Sequence, residues 1–591
     1  GVAYADGAIW VADSLGGSVL RVNPQTGATR HVHVGNNPTD LAAAGNDVWA
    51  TVLPSSASHR GGTLTVIAQP DHLMSTDPAV AYFLVTWQML TMTNDGLVGY
   101  RRVGGLAGDT LVADLATTLP VPVDGGKTYV FKLRSGIKYS DGAAVRPEDF
   151  RRAIERVFSI NRGSVGPTAF YVGLVGAGQC ERTPAHCDLA RGIVTDDAAN
   201  TVTFHLTAPD PEFLYKLAFP FADAVPAGTP DHEIGPTQLP ATGPYVTQSY
   251  RPGHGWTLIR NPRFRQWSPA AQPGGYPDRI VLRLDVRPGP AVNAVERGNA
   301  DVLLSPPASR IRELATRYAS QLHTGPLGAT DALVLNTRVR PFNNVAARRA
   351  LNYAIDRNKM IKLIGGPATA RPTCQILPPA MAGYRPYCPY TIAPGPGGTW
   401  GAPNLARAEQ LVRASGTRGS KVTVVISSLG DHTPVRPRGR YLVSVLRQLG
   451  YRASLQVVSN DDAYGKRLYD SRRHTQIGDF SWYQDYPAPP DFIGPLLTCA
   501  SFLPDSPRGN LNAAEFCDRH IDAQVNRALT IQTRLPNAAS SLWARIDHEL
   551  VDQAPWVPID NPRALVLLSA RVGNYQFHPY WTLLIDQLWV R

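Results

Sequence analysis

The sequence predicts an α/β fold, and two stretches of the chain carry that prediction. Tyr129, Phe131 and Leu133 alternate with Val130, Lys132 and Arg134, which is the period-2 pattern of a half-buried strand. Two Gly-containing turns follow, and Pro147 then stands where a helix tolerates proline, in its first turn. Further along, β-like runs at 421–427 and 453–458 flank a helical pattern at 440–449, the rhythm of a mostly parallel sheet.

Local signals mark where several helices begin and end. After Pro147, apolar residues recur at helical spacing and form one face: Phe150, Ile154, Val157 and Phe158. Asn344 is expected to cap a helix over 345–354, and Asp356 a second short helix after it. Gly450 is expected to close the helix at 440–449.

Composition limits the classes of function. The chain has 591 residues, 43% hydrophobic and 18% charged, which fits a globular protein of several domains. The net charge of +11 suggests either an anionic partner or a solvated basic surface. Without a basic run or a nucleic-acid motif, we predict no nucleic-acid partner. No G-x-S-x-G, H-E-x-x-H or P-loop occurs, so we predict no catalytic residue, metal or cofactor.

The six cysteines form three couples that are close in sequence. Six cysteines allow 15 pairings, and proximity favours joining each couple. The alternative is six buried free thiols, whereas three local disulfides indicate an oxidising compartment. The favoured pairs are Cys180 with Cys187, Cys374 with Cys388, and Cys499 with Cys517.

Residues 1–52 differ from the rest of the chain. Short β-like runs alternate with turns, and an apolar-Trp core at 9–12 returns at 48–51, an offset near the length of a propeller blade. The segment resembles a blade of a YVTN-repeat or lactonase-like β-propeller. A polar linker at 53–60 is expected to separate it from the remainder of the chain.

From residue 61 onward the chain resembles the extracytoplasmic solute-binding proteins of peptide and nickel ABC importers. Each motif is weak alone, but they occur in order and at plausible spacing. They are GGTLTV at 61–66, NDGLV at 94–98, the strand-turn-helix at 129–158, ATGPY at 241–245, RNPRF at 260–264, NYAIDR at 352–357 and WYQDYP at 482–487.

The resemblance implies a two-lobed, periplasmic-binding-protein-like clamp with an inserted subdomain, which closes on its ligand like a hinge. Lobe I is expected at 61–93, 239–325 and 556–591. The inserted subdomain is expected at 94–238 and lobe II at 326–555. These boundaries are predictions that follow the family pattern.

The resemblance also implies where a peptide would bind. Asp485 and Trp482 occupy the places where the family's Asp pairs with the ligand α-ammonium and its Trp packs beside the ligand. Gln484 departs from the family, which usually has a small residue there, and is expected to narrow the pocket. The alternative is that Asp485 caps a turn and Trp482 is core.

Other candidate ligand contacts are weaker. Tyr483 and Tyr486 are expected either to stack on the ligand or to pack at the rim or in the core. Residues 486–492 are expected to be stiff and extended. In lobe I, Trp87, Met89 and Met92 are expected either to form an adaptable apolar wall for the ligand or to pack in the core. Gln88, in the same segment, is a further candidate ligand contact.

The resemblance implies a small peptide as ligand and an ABC permease as partner, in an extracytoplasmic and monomeric protein. We expect the chain to be tethered through upstream sequence, because it opens within a motif at Gly1. The alternative is a ligand-sensing domain of a larger membrane-anchored regulatory protein. An enzymatic role for the propeller-like segment ranks last, since 52 residues are too few to carry it.

Overall fold

The structure is a computed structural model, and it describes residues 1–13, 18–34, 38–45, 47–52, 59–69, 75–161, 166–234, 239–395, 397–427, 435–458, 461–506, 509–535 and 537–591. The chain divides into two compact units. Unit 1 comprises 1–305 and 566–591, and unit 2 comprises 306–565. Residues 53–58 of the predicted linker lie outside the described residues.

The first part of unit 1 contains small antiparallel sheets. Strands β1 to β4 form a four-stranded antiparallel sheet in chain order, and β5 and β6 form a hairpin. A small core joins them through Ala3, Val19 and Leu41. The strands are β1 Val2–Ala5, β2 Ala8–Asp13, β3 Ser18–Val22, β4 Thr29–His33, β5 Pro38–Ala44 and β6 Asp47–Val52.

The main sheet of unit 1 has the order β13-β14-β15-β7-β16, and the last residues of β23 pair with β16. Strand β7 is parallel to both of its neighbours. The elements from β7 onward are β7 Thr63–Ile67, α1 Leu84–Leu90, β8 Val98–Tyr100, β9 Leu111–Ala113, β10 Thr128–Lys132, α2 Pro147–Ile160, α3 Ala177–Arg182, β11 Ile193–Asp196, β12 Thr201–His205, α4 Phe213–Lys216, β13 Tyr245–Arg251, β14 Gly255–Arg260, β15 Arg279–Arg283, α5 Pro288–Glu296 and β16 Val302–Leu304.

Unit 2 is built on a sheet of order β23-β18-β22-β20-β21, with β17 and β19 also pairing with β23. Its elements are α6 Ile311–Arg317, β17 Leu322–Pro326, β18 Ala329–Leu335, α7 Val345–Ala354, α8 Arg357–Leu363, β19 Ala370–Pro372, α9 Leu405–Ala414, β20 Lys421–Ser427, α10 Val435–Gln448, β21 Arg452–Val458, α11 Asp461–Leu468, β22 Ile477–Tyr483, α12 Pro490–Leu497, α13 Arg519–Arg534, α14 Ser540–Gln553 and β23 Trp556–Leu568. After β23 the chain returns to unit 1 with the short strands β24 Val572–Gly573, β25 Phe577–His578, β26 Thr582–Leu583 and β27 Trp589–Val590.

Both faces of the unit 2 sheet are covered. Successive residues of a strand point to opposite faces, so Leu333 and Val334 of β18 belong to different cores. Leu333 packs with α7 and α10, and Val334 packs with α12 and α14. Strand β20 runs parallel to β21 and β22. Parallel strands are typical of sheets that are covered on both faces.

The local predictions are confirmed. Strand β10 and helix α2 occupy the predicted strand-turn-helix, with Tyr129 and Phe131 buried. The Asn344 side chain accepts a hydrogen bond from the Ala346 N–H, and that of Asp356 from the Lys359 N–H, at 2.8 and 3.0 Å.

The three predicted disulfides are also confirmed, and they take up all six cysteines. Cys180–Cys187 lies in unit 1, whereas Cys374–Cys388 and Cys499–Cys517 lie in unit 2. Their sequence separations are 18 residues or fewer, so each constrains the chain locally.

One helix boundary is corrected. Helix α10 begins at Val435, five residues before the predicted start at 440, although it ends as expected before Gly450. Pro437 lies in the first turn of α10, where a proline removes no intrahelical hydrogen bond.

Candidate functional site

The candidate site lies at the end of strand β22. This strand sits between β18 and β20 and runs parallel to β20. In open α/β sheets, ligands bind beyond the carboxyl ends of the strands, and here that end carries Trp482 and Tyr483. Asp485 follows within two residues.

Asp491 fixes the segment that leaves β22. Its carboxylate accepts a hydrogen bond from the Asp485 N–H at 2.9 Å and from the Trp482 indole N–H at 3.3 Å. Asp491 is 2% exposed and lies in the first turn of α12, where the helix dipole favours an acid. The Trp482 ring and the Asp485 backbone are therefore held by one buried side chain, which sequence reasoning missed.

The four predicted unit 2 residues differ in exposure. Trp482 and Asp485 are partly buried, Tyr486 is buried and Tyr483 is 52% exposed. Trp482 lies nearly parallel to Phe480, with ring centroids 6.3 Å apart. The structure thus brings these residues together, with Tyr483 the one most open to solvent.

Gln484 packs against a glycine of the neighbouring segment. Its N–H donates to the Gly328 carbonyl at 2.7 Å, and a Cβ added at Gly328 would lie 2.1 Å from the Gln484 side chain. The Gln484 side chain therefore occupies the space that any larger residue at position 328 would need.

The prediction that 486–492 is extended is wrong in its second half. Helix α12 begins at Pro490 and includes Asp491 and Phe492. Two consecutive prolines suggested an extended rim, but Pro490 stands at the start of the helix, where its missing N–H leaves no bond unmade.

The predicted residues of unit 1 make core contacts within that unit. Trp87 stacks on Phe219 with ring centroids 5.3 Å apart, and Met89 and Met92 are fully buried. Gln88 is 4% exposed and donates a hydrogen bond to the Trp581 carbonyl. A ligand-facing role for Trp87, Gln88 and Met89 remains a prediction, and these contacts are those of the core-packing alternative.

Unit 2 also has a cavity of about 1010 Å³. Helices α6 and α8 line it, together with the loop at 365–368. Among the described lining residues are none of the predicted ligand contacts, so the cavity is separate from the end of β22.

Within the described ranges, no cluster of three or more His, Cys, Asp or Glu residues has an arrangement that could hold a metal ion. No helix in the described part of the chain is both long and apolar enough to cross a membrane.

Comparison with known proteins defines the class. Residues 110–503 match the model of the family described as bacterial extracellular solute-binding proteins, family 5, and the chain belongs to this family. The fold is that of a periplasmic-binding-protein-like solute binder, and family members act outside the cytoplasm.

Among curated relatives, the di/tripeptide-binding protein 2 of Pseudomonas aeruginosa is 25% identical over 501 residues, covering 80% of this chain and 85% of its own. Heme-binding protein A of Haemophilus influenzae is 24% identical over 479 residues, covering 77% and 80%. The relatives thus differ in the ligand for which they are named.

Solved structures share the fold. The clavulanic acid biosynthesis oligopeptide binding protein 2 superposes with a TM-score of 0.79 at 24% identity, covering 91% of this chain and 97% of its own. The ABC transporter-associated periplasmic binding protein DppA from Helicobacter pylori, in complex with the peptide STSA, gives 0.68 at 19% identity, covering 90% and 98%.

Proposed function

We propose that this protein binds short peptides outside the cytoplasm and delivers them to an ABC-type importer. Membership of the solute-binding family and the peptide-binding relatives support this function. The observation that most supports a peptide ligand is the arrangement at the end of β22, where Asp491 accepts hydrogen bonds from Trp482 and Asp485 of the family's motif.

Asp485 is proposed to bind the α-ammonium of the peptide. A linear peptide has one free α-amino group, so a single carboxylate recognises the peptide end without reading its side chains. Breaking a buried charge pair of this kind costs about 3–5 kcal/mol. Trp482 is proposed to pack beside the first residue, with Tyr483 and Tyr486 at the rim.

The proposal includes the organisation of the chain. Lobe I at 61–93, 239–325 and 556–591, the inserted subdomain at 94–238 and lobe II at 326–555 remain proposed boundaries. The four-stranded antiparallel sheet β1 to β4 supports the likeness of residues 1–52 to a propeller blade. We also propose that the protein binds its ligand without catalysing a reaction, that it is monomeric and that it is tethered through upstream sequence.

The test is a thermal-shift assay with a pool of short peptides, the same pool N-acetylated, and haem in parallel. A ligand present at about 100 times its Kd adds about 2.7 kcal/mol of stability. We expect a shift with free peptides that is lost on acetylation. A shift with haem alone would contradict the peptide proposal. The absence of a shift with every ligand tested would contradict it as well.

A further inference from the structure

Three carboxylates lie on one face of the unit 2 sheet. Asp331 of β18 pairs directly with Asp560 of β23 on one side and with Ser481 of β22 on the other. Asp479 lies two residues before Ser481, and Tyr483 two residues after it, so both share its face. We call Asp331, Asp479 and Asp560 the acidic triad.

Asp560 lies at the base of the triad and lacks donors. Its side chain is 0% exposed, and neither of its carboxylate oxygens accepts a hydrogen bond from an N–H or hydroxyl of the described residues. Asp331 lies directly opposite Asp560, and these two acids form a hydrogen bond with each other only when one of them carries a proton. Leaving a buried carboxylate without donors is unfavourable, so the site has an unused capacity for a donor.

The other two acids already have partners. The Ser481 hydroxyl donates to Asp331, and the Ser427 N–H donates to Asp479 at 3.2 Å. Tyr464 of α11 lies against Asp479 and donates to its backbone carbonyl. Asp560 therefore differs from its two neighbours in having no such donor among the described groups.

The electrostatics of the triad favour a cation. Burial raises the pKa of all three acids, and the charge of Asp331 raises that of Asp560 further. Arg438 of α10 is the cation that opposes these shifts at each acid. Three carboxylates facing one guanidinium leave an excess of negative charge when all are ionised.

The triad is open on the side of the candidate site. Asp331 and Asp479 are partly exposed, and Tyr483, two residues before Asp485, presents an exposed aromatic ring. An aromatic ring beside carboxylates suits an organic cation, because a guanidinium or ammonium group gains from both the negative charges and the ring face.

We infer that the acidic triad binds the cationic side chain of a basic peptide residue and so gives the protein a preference for peptides that contain arginine or lysine. This inference rests on the proposed peptide-binding function and adds a second anchor to Asp485. A guanidinium supplies five N–H donors in a planar fork and can donate to two carboxylates at once, which suits the partly exposed Asp331 and Asp479, while the buried charge of Asp560 adds to the attraction.

The test compares an arginine tripeptide with its citrulline analogue, which keeps the shape and loses the charge. Calorimetric titration of the wild-type protein is expected to give at least ~10-fold tighter binding of the arginine peptide. Asp560→Asn and Asp331→Asn should remove this preference and leave the affinity for the citrulline peptide within about 3-fold. Glu409→Gln, on the exposed face of α9, is the matched control and should keep the preference.

The outcomes separate the two proposals. If both peptides bind wild-type protein equally, or if Asp560→Asn keeps the preference, the triad is not a cation subsite, while the peptide-binding function stands. If neither peptide binds, the proposed function fails and this inference with it. A thermal unfolding curve of each variant, with a cooperative transition as in wild type, shows that the fold is kept.

Discussion

At the scale of single residues, Asp491 organises the candidate site without being expected to touch the ligand. It joins the Asp485 backbone to the Trp482 indole from the first turn of α12. Its carboxylate is acceptor-only when ionised, so it suits two donors. Asp491 is therefore a positioning residue, and its effect should appear in recognition as well as in stability.

We predict that Asp491→Ala weakens binding of a free peptide by about 10-fold or more, because two donors lose their acceptor at a cost of about 1–3 kcal/mol. The penalty for N-acetylating the peptide should shrink in this variant, since Asp485 is no longer held. Asp491→Asn keeps one acceptor oxygen and should recover part of both. Titration calorimetry measures these effects, and an unchanged acetylation penalty in Asp491→Ala would contradict the positioning role.

Asp109 in unit 1 gives a prediction about pH. Burial raises its pKa to about 7, and one carboxylate oxygen has no donor among the described residues. Because the pKa in the folded state lies above the unfolded value, the contribution of Asp109 to stability is fully present below about pH 4 and is lost as the pH rises through about 7.

The asparagine side chain of Asp109→Asn does not titrate. The free energy of unfolding of this variant, taken relative to wild type, should therefore be higher at pH 8 than at pH 4 by on the order of 2 kcal/mol. Urea unfolding at both pH values measures this change. A difference between variant and wild type that does not depend on pH would show that Asp109 ionises normally.

At the scale of elements, a buried ion pair attaches helix α2 to the segment before α1. Arg156 donates to both carboxylate oxygens of Asp77 at 2.9 and 2.7 Å, and both side chains are 0% exposed. Arg156 also donates to the carbonyls of Pro230 and His232. The pair therefore ties three segments of unit 1 together.

Asp77→Ala should lower the free energy of unfolding by about 3–5 kcal/mol, since it leaves the Arg156 charge buried without its partner. Asp6→Asn, which removes the charge of the exposed pair with Arg21 and keeps a residue type that tolerates the positive φ at this position, is the matched control and should cost less than about 1 kcal/mol. Urea unfolding of both variants measures the contrast. Equal losses in the two variants would contradict the importance of burial.

Sequence predicted those elements whose determinants are local. The β10-α2 unit, the Asn344 and Asp356 caps and the three disulfides each depend on residues that are close together in the chain. The start of α12 was missed because two prolines indicate an extended chain as readily as a first helical turn.

Sequence predicted only the part of the candidate site that lies within a single motif. Trp482 and Asp485 are close in sequence, whereas Asp331, Asp479 and Asp560 come from three distant strands. Only the register of β18 against β22 and β23 brings these acids together. No periodicity or spacing in the sequence reports such a register, so the triad could not be predicted.

At the scale of the whole molecule, the chain is a family 5 solute-binding protein whose proposed ligand is recognised at two charged groups: an α-ammonium at Asp485 and a basic side chain at the triad. The second anchor predicts a dependence on pH. The groups facing the triad are Arg438 from α10, Tyr464 from α11, and Ser481 and Tyr483 from β22. Of these, Arg438 carries the charge that opposes protonation.

Burial raises the pKa values of Asp331 and Asp560 in the free protein, so a bound cation competes with any proton that the pair holds. Affinity for the arginine peptide should therefore increase as the pH rises towards and past those raised pKa values, and affinity for the citrulline peptide should not. Titrations at about pH 5 and pH 8 measure this difference. Parallel changes for the two peptides would contradict proton displacement at the triad.

The proposed function depends on binding of the peptide α-ammonium by Asp485, and a cycle of four titrations measures that interaction. A free and an N-acetylated peptide are each titrated into wild-type protein and Asp485→Asn. Acetylation is expected to weaken binding to wild type by about 100-fold or more and to change binding to Asp485→Asn by less than about 3-fold. An acetylation penalty of the same size in both proteins would place the α-ammonium elsewhere and overturn the proposed role of Asp485.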